Sequence, residues 1–251
     1  MHCETRRLVP GAKYAALFLH GIVGTPNHFR QLMPLEDLVP ENWSVINVRY
    51  PGHGGNVLDF GRSGMDQWRC HAYDAFEDLA RNHEKVLIVG HSMGTLFALQ
   101  LAVENPDKTG ALFLLAVPMR PWPRPVIVSH CLRLVFHRIR EDHPWEAAFQ
   151  RACGVSPSVL VWRYLSWIPG LLELFGEICR TQKIMGNLRV PCFAWQSEKD
   201  ELVGRKTTSV LKSAGNMEIR ELTESTHFYY APEEAEQVRA EFAHWIKKVS
   251  G

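Results

Sequence analysis

The chain has 251 residues, 46% of them apolar and 22% charged, with a formal net charge of +1. That length suits one large α/β domain, or a domain carrying an insertion, and the balanced charge removes any electrostatic case for a nucleic-acid partner or an anionic membrane. No run approaches the roughly 20 apolar residues of a transmembrane helix, and the six scattered cysteines form neither a C-x-x-C pair nor a zinc pattern.

In chain order, the first predicted strand is AALFLH, residues 15–20, which runs into HGIVGTP at 20–26. A helix-length pattern follows at 27–38, then a strand at 44–49 (SVINVR) and the turn-rich YPGHG. Residues 66–82 read as a helix, 85–90 (KVLIVG) as a buried strand, 93–105 as a helix and 111–117 (ALFLLAV) as a buried strand. Residues 119–187 break this alternation. They carry no strand signal and hold Trp122, Trp145, Trp162 and Trp167 among prolines and amphipathic runs. We expect a helical lid, or cap, here, covering an apolar pocket. Alternation resumes with strands at 191–196 (PCFAWQ) and 217–222 (MEIREL) and helices at 203–213 and 232–249. Strand alternating with helix implies a mostly parallel sheet with helices on both faces. The expected core is therefore 1–118 plus 188–251, interrupted by the lid at 119–187.

Gly90-His91-Ser92-Met93-Gly94 joins a buried strand to a helix and matches G-x-S-x-G, the nucleophile elbow. Flanking glycines leave room for a strained turn that lifts the serine hydroxyl clear of the sheet. The helix beginning near Met93 aims its free N–H groups and positive dipole end at that hydroxyl.

The motifs LHGIVGTP, YPGHG, GHSMG, KDELV and STHFYY, in this order and spacing, resemble the α/β-hydrolase superfamily over nearly the whole chain. Within it they are similar to the bacterial lidded carboxylesterases and monoacylglycerol lipases. Two positions depart from that pattern: Ile22 where an aromatic residue is more frequent, and Thr95 where a second glycine is frequent. The resemblance implies an α/β-hydrolase fold, and an oxyanion hole built from the backbone amides of Ile22 and Met93. It also implies the chain order Ser, then Asp or Glu, then His. Only His227 and His244 follow the last predicted strand; His227 lies in a short loop and His244 on a helix surface. Asp200 lies in the loop after the strand at 191–196, beside Glu198 and Glu201, and matches the family's loop pattern.

The expected catalytic set is therefore Ser92, Asp200 and His227, hydrolysing a carboxylic ester through an acyl-enzyme with no cofactor and no metal. His20, His53 and His91 read as structural, and His130, His137 and His143 lack the spacing of a metal site. The substrate is expected to be a small molecule with an apolar acyl group, of the short- to medium-chain or monoacylglycerol type. Neither nucleic acid nor stable membrane insertion is expected, although an amphipathic lid could touch a membrane interface transiently. Arg120, Arg124, Arg133, Arg138 and Arg140 read as mainly solvated. A thioesterase, an amide or peptide hydrolase, a C–C bond hydrolase using the same triad, and a non-catalytic ligand-binding receptor on the same fold stand as alternatives. Reduced thiols and the absence of a recognisable secretory signal favour a cytoplasmic setting.

Overall fold

The computed structural model describes residues 3–213 and 216–250. All six predicted strands form, and a short one precedes them: β1 (Thr5–Arg7), β2 (Tyr14–Leu19), β3 (Ser44–Asn47), β4 (Lys85–His91), β5 (Thr109–Leu115), β6 (Cys192–Ser197) and β7 (Met217–Leu222). They make one sheet in the order β1-β3-β2-β4-β5-β6-β7. The β1–β3 pair is antiparallel and the other five pairs are parallel. The continuous apolar runs of β2, β4 and β5 are buried almost throughout. β7, at the edge, alternates between half-buried and exposed positions over Met217–Arg220 and ends on the buried Leu222.

The helices cover both faces, because such a sheet has no side it can leave in water. They are α1 (Val57–Gly61), α2 (Met65–Ala80), α3 (Met93–Glu104), α4 (Pro125–Val135), α5 (Pro144–Ala152), α6 (Ile168–Ile184), α7 (Lys206–Lys212) and α8 (Pro232–Ser250). α3 has ten buried residues, so it is apolar all round and sits inside the molecule. One core layer joins Trp68 and Phe76 of α2 and Leu96 and Phe97 of α3 to one face of the sheet. The other joins Phe18, Phe113 and Phe193 to Phe242 and Trp245 of α8. Among the described residues, no helix is long and apolar enough to cross a membrane.

The helix expected at 27–38 does not form. One π-type turn (His28–Leu32) and one 3-10 turn (Glu36–Leu38) stand there instead. Pro34 separates them, since its ring lacks the N–H that a continuous helix would need.

The segment between β5 and β6 holds α4, α5 and α6, with a 3-10 run at Val161–Trp167 leading into α6. Each of the three helices opens with proline in its first turn, where the missing N–H costs nothing. Gln182 Nε2 donates to the Met119 carbonyl at 2.8 Å and ties the two ends of this insert together. Glu146, buried on α5, accepts from Arg140 Nε at 3.0 Å and lies 3.6 Å from Arg133. Those contacts, with the Arg140 hydrogen bond foremost, hold its carboxyl at about 2.

Two of the insert's four tryptophans turn outward: Trp122 is 73% exposed and Trp162 62%. Trp167 does turn inward, donating from Nε1 to the Val57 carbonyl at 2.8 Å and packing on Phe60. Ile168, Leu171, Leu172 and Phe175 occupy the i, i+3, i+4 and i+7 positions of one stripe, and all four are exposed. That stripe faces solvent because the opposite face of α6, with Gly170, Glu177, Ile178 and Thr181, is the buried one.

Candidate active site

Four loops leave the C-terminal ends of β2, β4, β6 and β7 and carry Ile22, Ser92, Asp200 and His227 respectively. Ligands of open α/β sheets bind at that edge. Ser92 follows β4 directly, with φ 50° and ψ −123°. A non-glycine residue in that region is strained and persists only where its surroundings impose it. Three contacts do so here. Ser92 N donates to the Leu115 carbonyl at 2.9 Å, and the Ser92 carbonyl accepts from Thr95 N at 2.9 Å and from Thr95 Oγ1 at 2.6 Å. Thr95, the departure from the family pattern, thus braces the turn.

The glycines of the elbow are needed for close approach. A methyl group at Gly94 would lie 2.0 Å from the Leu19 carbonyl oxygen, and one at Gly21 would lie 2.9 Å from the Ser92 Cβ. The Gly21–Gly24 loop is therefore pressed directly against the serine. It is closed by a Gly24 N–H bond to the Gly21 carbonyl at 3.0 Å. Val23 in this loop has φ 60°, an outlier for a β-branched residue. Met93 is the first residue of α3, so its amide is one of the helix-start donors without an intrahelical acceptor.

Asp200 and His227 meet. His227 Nδ1 donates to Asp200 Oδ2 at 2.8 Å, and both residues are 1% exposed. The other carboxylate oxygen, Oδ1, accepts from the amides of Leu202 at 2.8 Å and Val203 at 2.7 Å. Burial disfavours a charged His227 imidazole, but the Asp200 carboxylate bonded to it and the nearby Glu201 outweigh that and raise its proton affinity above the ordinary value. His91, the residue before Ser92, donates from Nε2 to the His227 carbonyl at 3.1 Å, so the serine turn and the histidine loop are linked. Ser92 itself is 7% exposed.

Two supporting carboxylates were not assigned roles from the sequence. Glu201, 4% exposed, accepts from the His227 backbone amide through Oε2 at 3.0 Å. Glu234, in the first turn of α8, accepts from the amides of Thr223, Glu224 and Ser225 and shapes the loop ahead of His227. The only sequence signal was their acidity near the site, which exposed residues share.

The histidines read as structural are placed as such. His20 donates from Nδ1 to the Gly21 carbonyl at 2.8 Å. His91 stacks on His28 at 3.7 Å. His53 packs among His20, Tyr50, Phe60 and Trp68. His244 is exposed on α8. Burial pushes His20 and His91 well down, His28 to about 3 and His53 to about 4. Among the described residues, no group of three or more His, Cys, Asp or Glu is arranged to hold a metal ion.

The structure brings His227 and Asp200 into direct contact and links their loop to the strained Ser92 turn through His91. The chain belongs to the Alpha/beta hydrolase family, whose sequence model matches residues 16–241. Its curated relatives include pimeloyl-[acyl-carrier protein] methyl ester esterases of Neisseria meningitidis, one of them 33% identical over 113 residues. That match spans 44% of this chain and 39% of the relative's length. A structure of the metagenome-derived lipolytic enzymes LipS and LipT superposes with a TM-score of 0.72 at 18% identity, covering 96% of this chain and 100% of the other. The Paleococcus ferrophilus monoacylglycerol lipase superposes with a TM-score of 0.69 at 16% identity, covering 98% of each chain. At these identities the structural matches establish a shared fold.

Proposed function

We propose that this protein is a serine hydrolase of carboxylic esters. The observation that carries the reading is the buried His227–Asp200 hydrogen bond of 2.8 Å, linked through His91 to the strained Ser92 turn. His227, held in one tautomer by Asp200, takes the Ser92 proton as the hydroxyl attacks the ester carbonyl. The amides of Ile22 and Met93 receive the developing oxyanion, each donor contributing about 3 kcal/mol. His227 then protonates the leaving alcohol, and a water activated by the same base releases the acid.

The insert serves in this reading as the lid over the site, which its main-chain bonds to the loops of Val23 and Leu202 support. An apolar acyl group of short to medium length, in a monoacylglycerol-like ester, is the favoured substrate. The structural resemblance to lipolytic enzymes supports it. A carrier-linked acyl methyl ester is the second reading, supported by the curated relatives and by the exposed Arg120, Arg124, Arg138 and Arg140 of the insert.

Hydrolysis of p-nitrophenyl esters from acetate to palmitate, by wild type beside Ser92→Ala, tests the reading. The variant is expected to lose at least about a thousandfold in kcat. Retained hydrolysis in Ser92→Ala would reject the nucleophile. Glyceryl and methyl esters of one acyl chain, run in parallel, separate the two substrate readings.

A further inference from the structure

Asp200 and Glu201 are adjacent acids, and both are buried: 1% and 4% exposed. They grip the same histidine from two directions. Asp200 accepts from the ring at 2.8 Å, and Glu201 accepts from the backbone amide at 3.0 Å. The Glu201 main chain is itself fixed, because its carbonyl accepts from Arg124 N at 2.8 Å. We propose that Glu201 is a second positioning residue for His227, fixing the main chain of the base while Asp200 fixes its ring. This inference rests on the serine hydrolase reading above.

A neutral acceptor would serve the backbone amide as well as a carboxylate does. The charge therefore has a separate effect. Buried negative charge beside an imidazole favours its cation, so Glu201 adds to Asp200 in stabilising the His227 imidazolium that forms during attack. The same charge moves the loss of activity on acidification to a higher pH, because a protonated His227 cannot accept the serine proton. Few cations offset it. His91, packed against His227, and His28, stacked on His91, are held neutral by burial. From the insert, His130 faces Glu201 and is also pushed toward its neutral form. Arg133 and Arg140 beyond it are engaged by Glu146.

Glu201→Gln keeps size and acceptor but removes the charge, whereas Glu201→Asp keeps the charge and withdraws the acceptor by one methylene. We expect Glu201→Gln to move the acidic limb of kcat/KM about half a unit to one unit toward lower pH. Its plateau should also fall, by about threefold to tenfold, because the same charge stabilises the imidazolium formed during attack. Glu201→Asp should leave the limb in place and lower the plateau. A direct reading comes from the imidazole titration of His227 followed by NMR in a Ser92→Ala background, with and without Glu201→Gln; the same downward displacement is expected. A limb and a titration that both stay put in a folded Glu201→Gln protein would overturn the inference. So would a Glu201→Gln protein that fails to fold, which would make the residue purely structural. If Ser92→Ala retains hydrolysis, the hydrolase reading itself has failed; if only the Glu201 arm fails, that reading stands.

Discussion

At the residue scale, the site is an exercise in close approach. Ser92 can hold φ 50° only because its neighbours leave no alternative, and Gly94 is the point where α3 touches the end of β2. A methyl group there would overlap a backbone oxygen at 2.0 Å, and backbone cannot swing aside as a side chain can. Gly94→Ala is therefore expected to destabilise by at least about 3 kcal/mol, at the upper end of overpacking effects. Urea denaturation followed by circular dichroism measures this. A loss under about 1 kcal/mol would show that α3 can shift away from Leu19. Two glycines around a serine could be read in the sequence as such a turn. The further role of Thr95, whose hydroxyl and amide both bond to the Ser92 carbonyl, could not, because a threonine one turn into a helix looks ordinary until the strained residue behind it is seen.

Among elements, the insert is joined to the loops that follow β2, β3 and β6 by main-chain bonds. Its entry segment pairs with the acid loop: Trp122 N donates to the Leu202 carbonyl and Gly204 N to the Arg120 carbonyl, both at 2.8 Å. After α5 it returns to the serine side. There Gly154 N donates to the Val23 carbonyl, and the Gly154 carbonyl accepts from Gly54 N, both at 2.7 Å. A methyl group at Gly154 would lie 1.9 Å from Thr25 Cγ2 and 2.8 Å from the Gly24 carbonyl oxygen. Gly154→Ala should thus displace the Gly21–Gly24 loop and lower kcat by about tenfold to a hundredfold, since misplacement of about 1 Å has effects of that order. Steady-state kinetics on the best p-nitrophenyl ester reads it; unchanged kcat would mean that the loop's geometry does not depend on the insert. None of this stitching was legible in the sequence, because backbone bonds between distant segments leave no residue signature. Strands β2 to β7 were legible from apolar runs or alternation. β1 was not, being three polar residues, Thr5-Arg6-Arg7, whose strand state depends on pairing with β3. The apolar content of 27–38 mimicked a helix until Pro34 divided it.

For the molecule as a whole, the buried histidines set the response to acid. His20, His28, His53, His91 and His130 are buried, with proton affinities below the ordinary value. A lowered folded-state value contributes stability that is fully present above the unfolded value and is lost as pH falls toward the folded one. Below about pH 6.5, each such histidine removes up to about 1.4 kcal/mol of stability per pH unit. His227 has the opposite sign: its raised affinity stabilises the fold at low pH and that contribution fades as pH rises through its folded value. Five against one gives a net loss on acidification. With ordinary stabilities of about 5–15 kcal/mol, cooperative unfolding is expected between about pH 4 and 5.5. Tryptophan fluorescence against pH follows it, and a fold intact at pH 3.5 would show that these imidazoles are hydrated or paired. The stitched insert carries a different consequence, for inheritance. A recombination event that exchanged residues 119–187 alone would sever the insert from Val23, Gly54 and Leu202, its hydrogen-bonding partners on three separate loops. The unit that can be swapped between relatives is discontinuous, made of the insert together with those loops. Breakpoints in functional chimaeras should fall outside all of them.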